Sequence, residues 1–239
     1  MTPTPDPQTP LVTVVVPCFN EEETLEPTLD ELCGVLRDAP FSWEVLVVDD
    51  GSRDRSAAIT RDYGEREPGV RLLSHRINQG SGQAIWTGIQ AGRGRYVIYV
   101  PADGQFDHGE IPMYVAAAEE GADIVIGHRL SRDDYTLYRR ASSFVFLQLC
   151  NRLFDHQFQD VNWVHLWRRD IFDRLEPKSR GVFFLEEILV RARADGARVV
   201  EVPSVYRPRA GGQAKGGRPS VIAKTIAEML ALWVERRIG

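Results

Sequence analysis

Between residues 12 and 127 the sequence alternates without a break between short aliphatic or β-branched runs and helix-patterned segments. That alternation limits the chain to an α/β architecture, doubly wound around a mostly parallel sheet. Val12-Thr13-Val14-Val15-Val16, stopped by Pro17, reads as a strand buried on both faces. Glu21 to Leu36 follows as a helix, with Leu25, Leu29, Leu32 and Leu36 at helical spacing and acids opposite. Trp43 to Val48 reads as a strand, Asp54 to Tyr63 as a helix and Val70 to Ser74 as a short strand. Ser81 to Ala91 is a helix, 96–100 a strand, Ile111 to Glu120 a helix and Asp123 to Gly127 a strand. Open sheets of this kind bind ligands beyond the carboxyl ends of their strands. The residues after each strand are therefore where chemistry is expected.

The second half breaks the rhythm. Tyr138 to Phe154 is a long apolar-rich helix with Arg139 and Arg140 at its start, and Val161 to Trp167 a strand. Phe183 to Asp195 reads as a helix, Arg198 to Val202 as a strand, Gly211 to Pro219 as a basic glycine-rich loop and Ser220 to Ile238 as a terminal helix. The chain shows no internal repeat and no linker, and its 239 residues with 43% hydrophobic content suit one large domain. The net charge of -5 argues against a nucleic-acid partner. Cys18, Cys33 and Cys150 form neither a metal motif nor a disulfide framework, which points to a reducing cytosol. Residues 1–10 are Pro/Thr-rich and lack the basic and apolar regions of a signal peptide, so they read as a disordered tail. No run reaches membrane-crossing length. The expectation is a cytoplasmic protein, at most peripheral on the cytoplasmic face of a membrane.

Three expected strands end in polar, turn-forming clusters: Pro17-Cys18-Phe19-Asn20-Glu21, Val48-Asp49-Asp50-Gly51-Ser52 and Ala102-Asp103-Gly104-Gln105. A carboxylate at the end of a buried strand is costly unless paired. A hard divalent cation holding a diphosphate is one suitable partner, with Asp103 and Gln105 as oxygen ligands and substrate and water completing the shell. Asp49 or Asp50 can accept hydrogen bonds from a base N–H or from ribose hydroxyls, and Phe19 can pack on the base. The plainer alternative is helix capping, by Asn20 before Glu23 or by Ser52 before Arg55. Asn78-Gln79-Gly80-Ser81-Gly82-Gln83-Ala84 opens a helix with glycines that allow close backbone approach to an anion, or simply a tight turn. It matches neither the phosphate loop of ATPases nor a dinucleotide fingerprint.

Together these runs resemble the family 2 glycosyltransferases of the GT-A, Rossmann-like fold. The resemblance is greatest to the branch that includes dolichol-phosphate mannose synthase and bacterial polyprenyl-phosphate glycosyltransferases. It covers about residues 11–218 and continues through Gly127-His128-Arg129 and Glu201-Val202-Pro203 to Arg209 and Lys215. It implies that Pro17, Phe19, Glu21, Val48 and Asp50 line the nucleotide site, with Asp49, Asn78, Gly80 and Ala102 beside them. It also implies that Asp103 and Gln105 hold Mg²⁺ or Mn²⁺, and that Arg129, Arg209 and Lys215 meet phosphate. The chain departs from the family pattern at four positions. Phe19 stands for a tyrosine, Pro101 for the first aspartate of the metal run, His128 for a serine and Ala214 for a serine.

What the resemblance implies is inverting transfer of a sugar from a nucleotide-sugar to a polyprenyl phosphate, with a divalent cation. Arginine suits bidentate phosphate contact and lysine acts as a point charge. An anionic phosphate acceptor needs no general base. A hydroxyl acceptor does, and Glu186 and Glu187 lie about where such members carry an acidic motif, a place that in the polyprenyl-phosphate branch is largely structural. Phe144, Val145, Phe146, Leu147, Leu149, Leu153 and Phe154 make one helix apolar on several sides. The terminal helix over 219–239 is amphipathic, with Val221, Ile222, Ile226, Met229, Leu230 and Trp233. It can pack on the domain, form a homodimer seam, or meet a membrane surface or membrane partner subunit. Two rival readings are a glycosyltransferase with a hydroxyl or other small acceptor, and a nucleotide-sugar-binding protein whose site has degenerated at Pro101.

Overall fold

A computed structural model describes residues 9–132, 135–208 and 219–238. Among the described residues, seven strands form a single sheet in the order β3-β2-β1-β4-β6-β5-β7. They are β1 (Val12–Cys18), β2 (Trp43–Asp49), β3 (Val70–Ser74), β4 (Tyr96–Tyr99), β5 (Ile124–Arg129), β6 (His165–Arg168) and β7 (Val199–Ser204). β6 runs antiparallel to its neighbours β4 and β5, and every other pairing is parallel. The carboxyl ends of the six parallel strands therefore share one edge. The strand order reverses at β1, which pairs with β2 on one side and β4 on the other. That is the crevice where such sheets bind ligands.

The period-2 alternation of the strands divides the core in two. Val12, Val14 and Val16 of β1 face one cluster with α1 (Leu25–Asp38), α2 (Ser56–Arg66) and α4 (Ile111–Glu119). Val15 faces the other, with α3 (Ser81–Ala91), α5 (Leu137–Phe154), α6 (Phe184–Ala194) and α7 (Pro219–Ile238). Gly88 of α3 lies where a Cβ would sit 2.3 Å from Val15 Cγ1, so only glycine lets this helix approach β1 so closely. The α/β fold with a mostly parallel sheet is as expected from the alternation.

Two elements start four residues later than expected. α1 begins at Leu25 rather than Glu21, because the Glu21 carbonyl accepts the N–H groups of Thr24 and Leu25 and residues 22–24 form a turn. β6 is shorter than the expected 161–167. The carbonyls of Asn162, Trp163 and Val164 bond instead to Arg129 Nη2, Tyr99 Oη and the Gly127 N–H. α7 lies against α6, through Arg191–Glu235 ion pairing and an Arg236 bond to the Val190 carbonyl. None of the described helices is long and apolar enough to cross a membrane.

Candidate active site

The loops after β1 and β2 are stitched to each other. The N–H groups of Asn20, Glu21 and Glu22 donate to Ser52 Oγ, Ser56 Oγ and Asp54 Oδ2. In return, the N–H groups of Arg53 and Arg55 donate to Asn20 Oδ1 and Glu22 Oε2. Asn20 holds a left-handed φ of 51°, a conformation asparagine tolerates better than most residues. Asn20 and Ser52 therefore do satisfy backbone donors, but across two loops rather than at a helix start. The two clusters act as one rigid wall of the crevice.

Asp49 and Asp50 part ways in this wall. Asp49 Oδ1 accepts the Ser52 N–H at 3.1 Å and closes the turn. Asp50 Oδ1 accepts the Gln79 N–H at 2.9 Å and meets His75 Nδ1 at 2.7 Å, while its Oδ2 accepts the Gly80 N–H at 2.8 Å. Val48 is fully buried with Ala84 and Val15, so its side chain belongs to the core and only its backbone can face a ligand. Pro17 and Phe19 are half-buried at the strand end, and Glu21 is buried.

The glycine run at 78–84 approaches protein rather than open space. A Cβ on Gly80 would lie 3.0 Å from the Arg180 carbonyl oxygen, and one on Gly82 would lie 2.5 Å from that of Gly181. The Gln83 N–H donates to the Arg180 carbonyl. The anion cradle expected at Asn78 and Gly80 is thus largely used to dock α3 against the 180–181 turn. Asn78 itself is exposed.

After β4, Ala102, Asp103 and Gln105 are buried. The Ala102 carbonyl accepts the hydroxyls of Thr24 and Thr28, which fixes this run to the start of α1. The Gln105 N–H donates to Asp103 Oδ1. The Gln105 side-chain amide donates to Tyr206 Oη at 2.5 Å, and the Gln105 carbonyl accepts the Arg207 N–H. Among the described residues there is no group of three or more His, Cys, Asp or Glu able to hold a metal. The donor set fits a hard cation that takes one carboxylate and an amide oxygen from protein and its remaining oxygens from a diphosphate and water. It does not fit a metal held by protein alone.

The third wall follows β5 and is built around Arg129. Arg129 forms a forked pair with the buried Asp160, Nε to Oδ2 at 2.7 Å and Nη2 to Oδ1 at 2.9 Å. It also donates to Tyr135 Oη and the Asn162 carbonyl, which commits four of its five N–H groups. Arg129 was expected at phosphate; here it is the buried anchor of a cluster. The guanidinium charge holds the Asp160 carboxyl down at about 2, against the desolvation that would raise it. Arg132 pairs with the same carboxylate at 2.7 Å. Arg139 lays its guanidinium 3.7 Å from the centre of the Tyr135 ring. Tyr206 stacks edge-on against Tyr135 and Trp163, linking this cluster to Gln105. Asp160, Tyr135, Trp163, Arg132 and Tyr206 were not singled out from sequence. Arg209 and Lys215 lie outside the described residues.

Neither acid proposed as a base is placed to act as one. Glu187 accepts the N–H groups of Lys178 and Ser179 and pairs with Arg191. Glu186 is fully buried, no other described residue hydrogen-bonds its carboxylate oxygens, and burial pushes its carboxyl up to about 8.

Comparison with known proteins shows the family and the fold. Residues 13–176 match the family model described as glycosyl transferase family 2. An uncharacterized glycosyltransferase of Mycobacterium bovis is 34% identical over 223 residues, 89% of this chain and 94% of that protein. The undecaprenyl-phosphate 4-deoxy-4-formamido-L-arabinose transferase of Edwardsiella ictaluri is 32% identical over 215 residues, covering 88% of this chain and 64% of the relative. Among solved structures, glucosyl-3-phosphoglycerate synthase from Mycobacterium tuberculosis, in complex with Mn²⁺, uridine-diphosphate-glucose and phosphoglyceric acid, superposes with a TM-score of 0.74. It is 18% identical and covers 94% of this chain and 80% of its own.

Proposed function

The chain belongs to glycosyl transferase family 2 and is a nucleotide-sugar-dependent glycosyltransferase, and from that premise we propose that its acceptor is a polyprenyl phosphate. The observation that carries this reading is the cluster of Arg132, Arg139 and Tyr135 between the metal run and α5. Arg129 and Arg132 already share the one carboxylate of Asp160. A phosphate entering beside them would meet an excess of positive charge.

α5 continues from this cluster. Its 18 residues include three arginines and no acid, in a chain of net charge -5. Leu137, Tyr138, Phe144, Val145 and Leu149 are exposed along it, while Phe146, Leu147, Leu153 and Phe154 pack inward. Exposed apolar residues at such spacing beside arginines suit a lipid tail or an anionic membrane surface. The Edwardsiella relative is named for an undecaprenyl-phosphate acceptor.

The chemistry is consistent with these surroundings. Asp103 and Gln105 would hold Mg²⁺ or Mn²⁺ with the donor diphosphate, and the cation would act there as a Lewis acid on the departing nucleoside diphosphate. The acceptor phosphate oxygen is already anionic and attacks the anomeric carbon without a base, with inversion. This matches the positions of Glu186 and Glu187, which offer no exposed carboxylate for deprotonation. Arg209 and Lys215 remain assigned to the same phosphates by the family pattern.

The test is transfer of labelled sugar from a panel of nucleotide-sugars, with Mn²⁺, to undecaprenyl phosphate or to small hydroxyl and phosphorylated acceptors. Product on the lipid phosphate, weakened at least tenfold by Arg139→Ala, is expected. Product only on a small acceptor would contradict the acceptor assignment. No binding of any nucleotide-sugar would favour a degenerate site.

A further inference from the structure

Asp50 sits where the loop after β2 meets the glycine run, and its hydrogen bonds can be counted. An acceptor carboxylate offers about four lone-pair positions, two on each oxygen. Among the described residues, three are filled, by His75 Nδ1 and the Gln79 N–H on Oδ1 and by the Gly80 N–H on Oδ2. One position remains, on Oδ2. The side chain is 4% exposed, so whatever takes that position meets a nearly dry acceptor.

The filling is enforced. His75 must present Nδ1–H to Asp50, because a carboxylate accepts. Its Nε2 then meets Thr87 Oγ1 at 3.0 Å. Thr87 Oγ1 also accepts the Gln83 side-chain amide at 3.5 Å, so the hydroxyl that holds the ring is itself held by α3. The His75 N–H donates to the Asp49 carbonyl, so the residue is held by main chain as well. On the other side, Gly80 reaches Asp50 with a φ of 100°, a conformation in which an L side chain is strained. A Cβ on Gly51 would lie 2.7 Å from the Ile77 carbonyl carbon, so the two loops are in backbone contact. Asp50 cannot turn to expose a second open position without breaking this set.

We infer that the His75–Thr87 pair selects the base of the donor nucleotide, by leaving Asp50 one acceptor position that suits the single N3–H of uracil. Guanine presents N1–H and N2–H side by side and pairs best with both oxygens of a carboxylate. Here Oδ1 is saturated, so that forked pairing is blocked. Adenine and cytosine would turn a ring-nitrogen lone pair toward the same carboxylate beside their amino group. His75 and Thr87 act through Asp50 and are positioning residues. The inference rests on the donor-site reading above and deepens it by naming the base.

The test is equilibrium binding of UDP, GDP, CDP and ADP with Mn²⁺ to the full chain, followed by calorimetry. UDP is expected to bind at least tenfold more tightly than GDP. His75→Leu, which returns a position on Oδ1, is expected to reduce that ratio to below threefold. His75→Gln, which restores an N–H donor, is expected to bring it back. Thr87→Val keeps the ring but frees its orientation, and is expected to narrow the ratio in the same direction. Circular dichroism and thermal melting show which variants are folded, and Thr87→Val carries the test if His75→Leu is not. A base other than uracil bound most tightly by the wild type overturns the inference while leaving the donor site standing. A ratio unchanged in folded variants overturns the role of the pair. Failure of all four nucleotides to bind overturns the donor-site reading itself.

Discussion

The side-chain amide of Gln105 donates to the hydroxyl oxygen of Tyr206 at 2.5 Å, across 101 residues of chain. This bond, with the Phe106–Tyr206 bridge and the Arg207 bond to the Gln105 carbonyl, ties the proposed metal run to the segment that leaves β7. Arg207 extends the tie through ion pairs to Glu31 and Asp107. The orientation of Gln105, and so of its amide oxygen, depends on Tyr206.

Tyr206→Phe should therefore loosen Gln105. The expected loss is about 1 kcal/mol of stability, the usual net value of one hydrogen bond. The Mn²⁺ concentration for half-maximal activity should rise several-fold. Urea unfolding and a metal titration of activity measure the two effects separately.

Asp160→Asn should be severe. It removes the partner of a buried guanidinium, and breaking a buried pair in this way costs about 3–5 kcal/mol. The folded-state pKa of Asp160 is depressed to about 2, so the unfolded chain binds its proton more readily. The stability that the pair contributes is present above about pH 4 and is lost as the pH falls through about 2. Acid titration of the wild type, followed by tryptophan fluorescence, should show a transition in that window.

Glu186 has the opposite sign. Its folded-state pKa is raised to about 8, so the folded chain keeps a proton that the unfolded chain has released. Its favourable contribution is complete below about pH 4.3, declines above it and is exhausted once the pH passes about 8. Glu186→Gln should flatten this decline and be more stable than the wild type at pH 8. Glycosyl transfer should remain within threefold, since the proposed phosphate acceptor needs no base. Loss of activity in a folded Glu186→Gln would reopen the hydroxyl-acceptor reading.

The exposed apolar residues of α5 predict vesicle binding. The wild type should sediment with vesicles rich in phosphatidylglycerol at low salt, and less with neutral ones. Phe144→Asp combined with Val145→Asp should abolish sedimentation without lowering the melting temperature, because both side chains are more than half exposed.

Sequence carried the architecture because its strands obey simple rules. Val12 to Val16 and Trp43 to Val48 are apolar but for Thr13 and Glu44, as strands covered on both faces require. Their polar ends marked the crevice. What sequence could not carry was how those polar ends divide their work. Asp49 and Asp50 are adjacent and identical, yet one closes its own turn and the other holds a distant loop through His75. Gly80 and Gly82 look like a ligand cradle until the 180–181 turn is seen against them. Arg129 looks like a phosphate contact until Asp160, 31 residues on, takes its fork. These are long-range pairings that no local spacing encodes. The aromatic bridge of Tyr135, Trp163 and Tyr206 joins three separate segments for the same reason.

The central claim is metal-dependent sugar transfer at the end of β4, with Asp103 as the single carboxylate of a metal run that has Pro101 in place of a second acid. It is tested most directly by comparing wild type and Asp103→Asn in transfer of labelled sugar from a UDP-sugar to undecaprenyl phosphate, with and without Mn²⁺. The account predicts that the wild type needs the cation and that Asp103→Asn, still folded, loses about a hundredfold or more of the rate, the scale of one preorganised electrostatic contact. Undiminished, Mn²⁺-independent transfer by Asp103→Asn would contradict it.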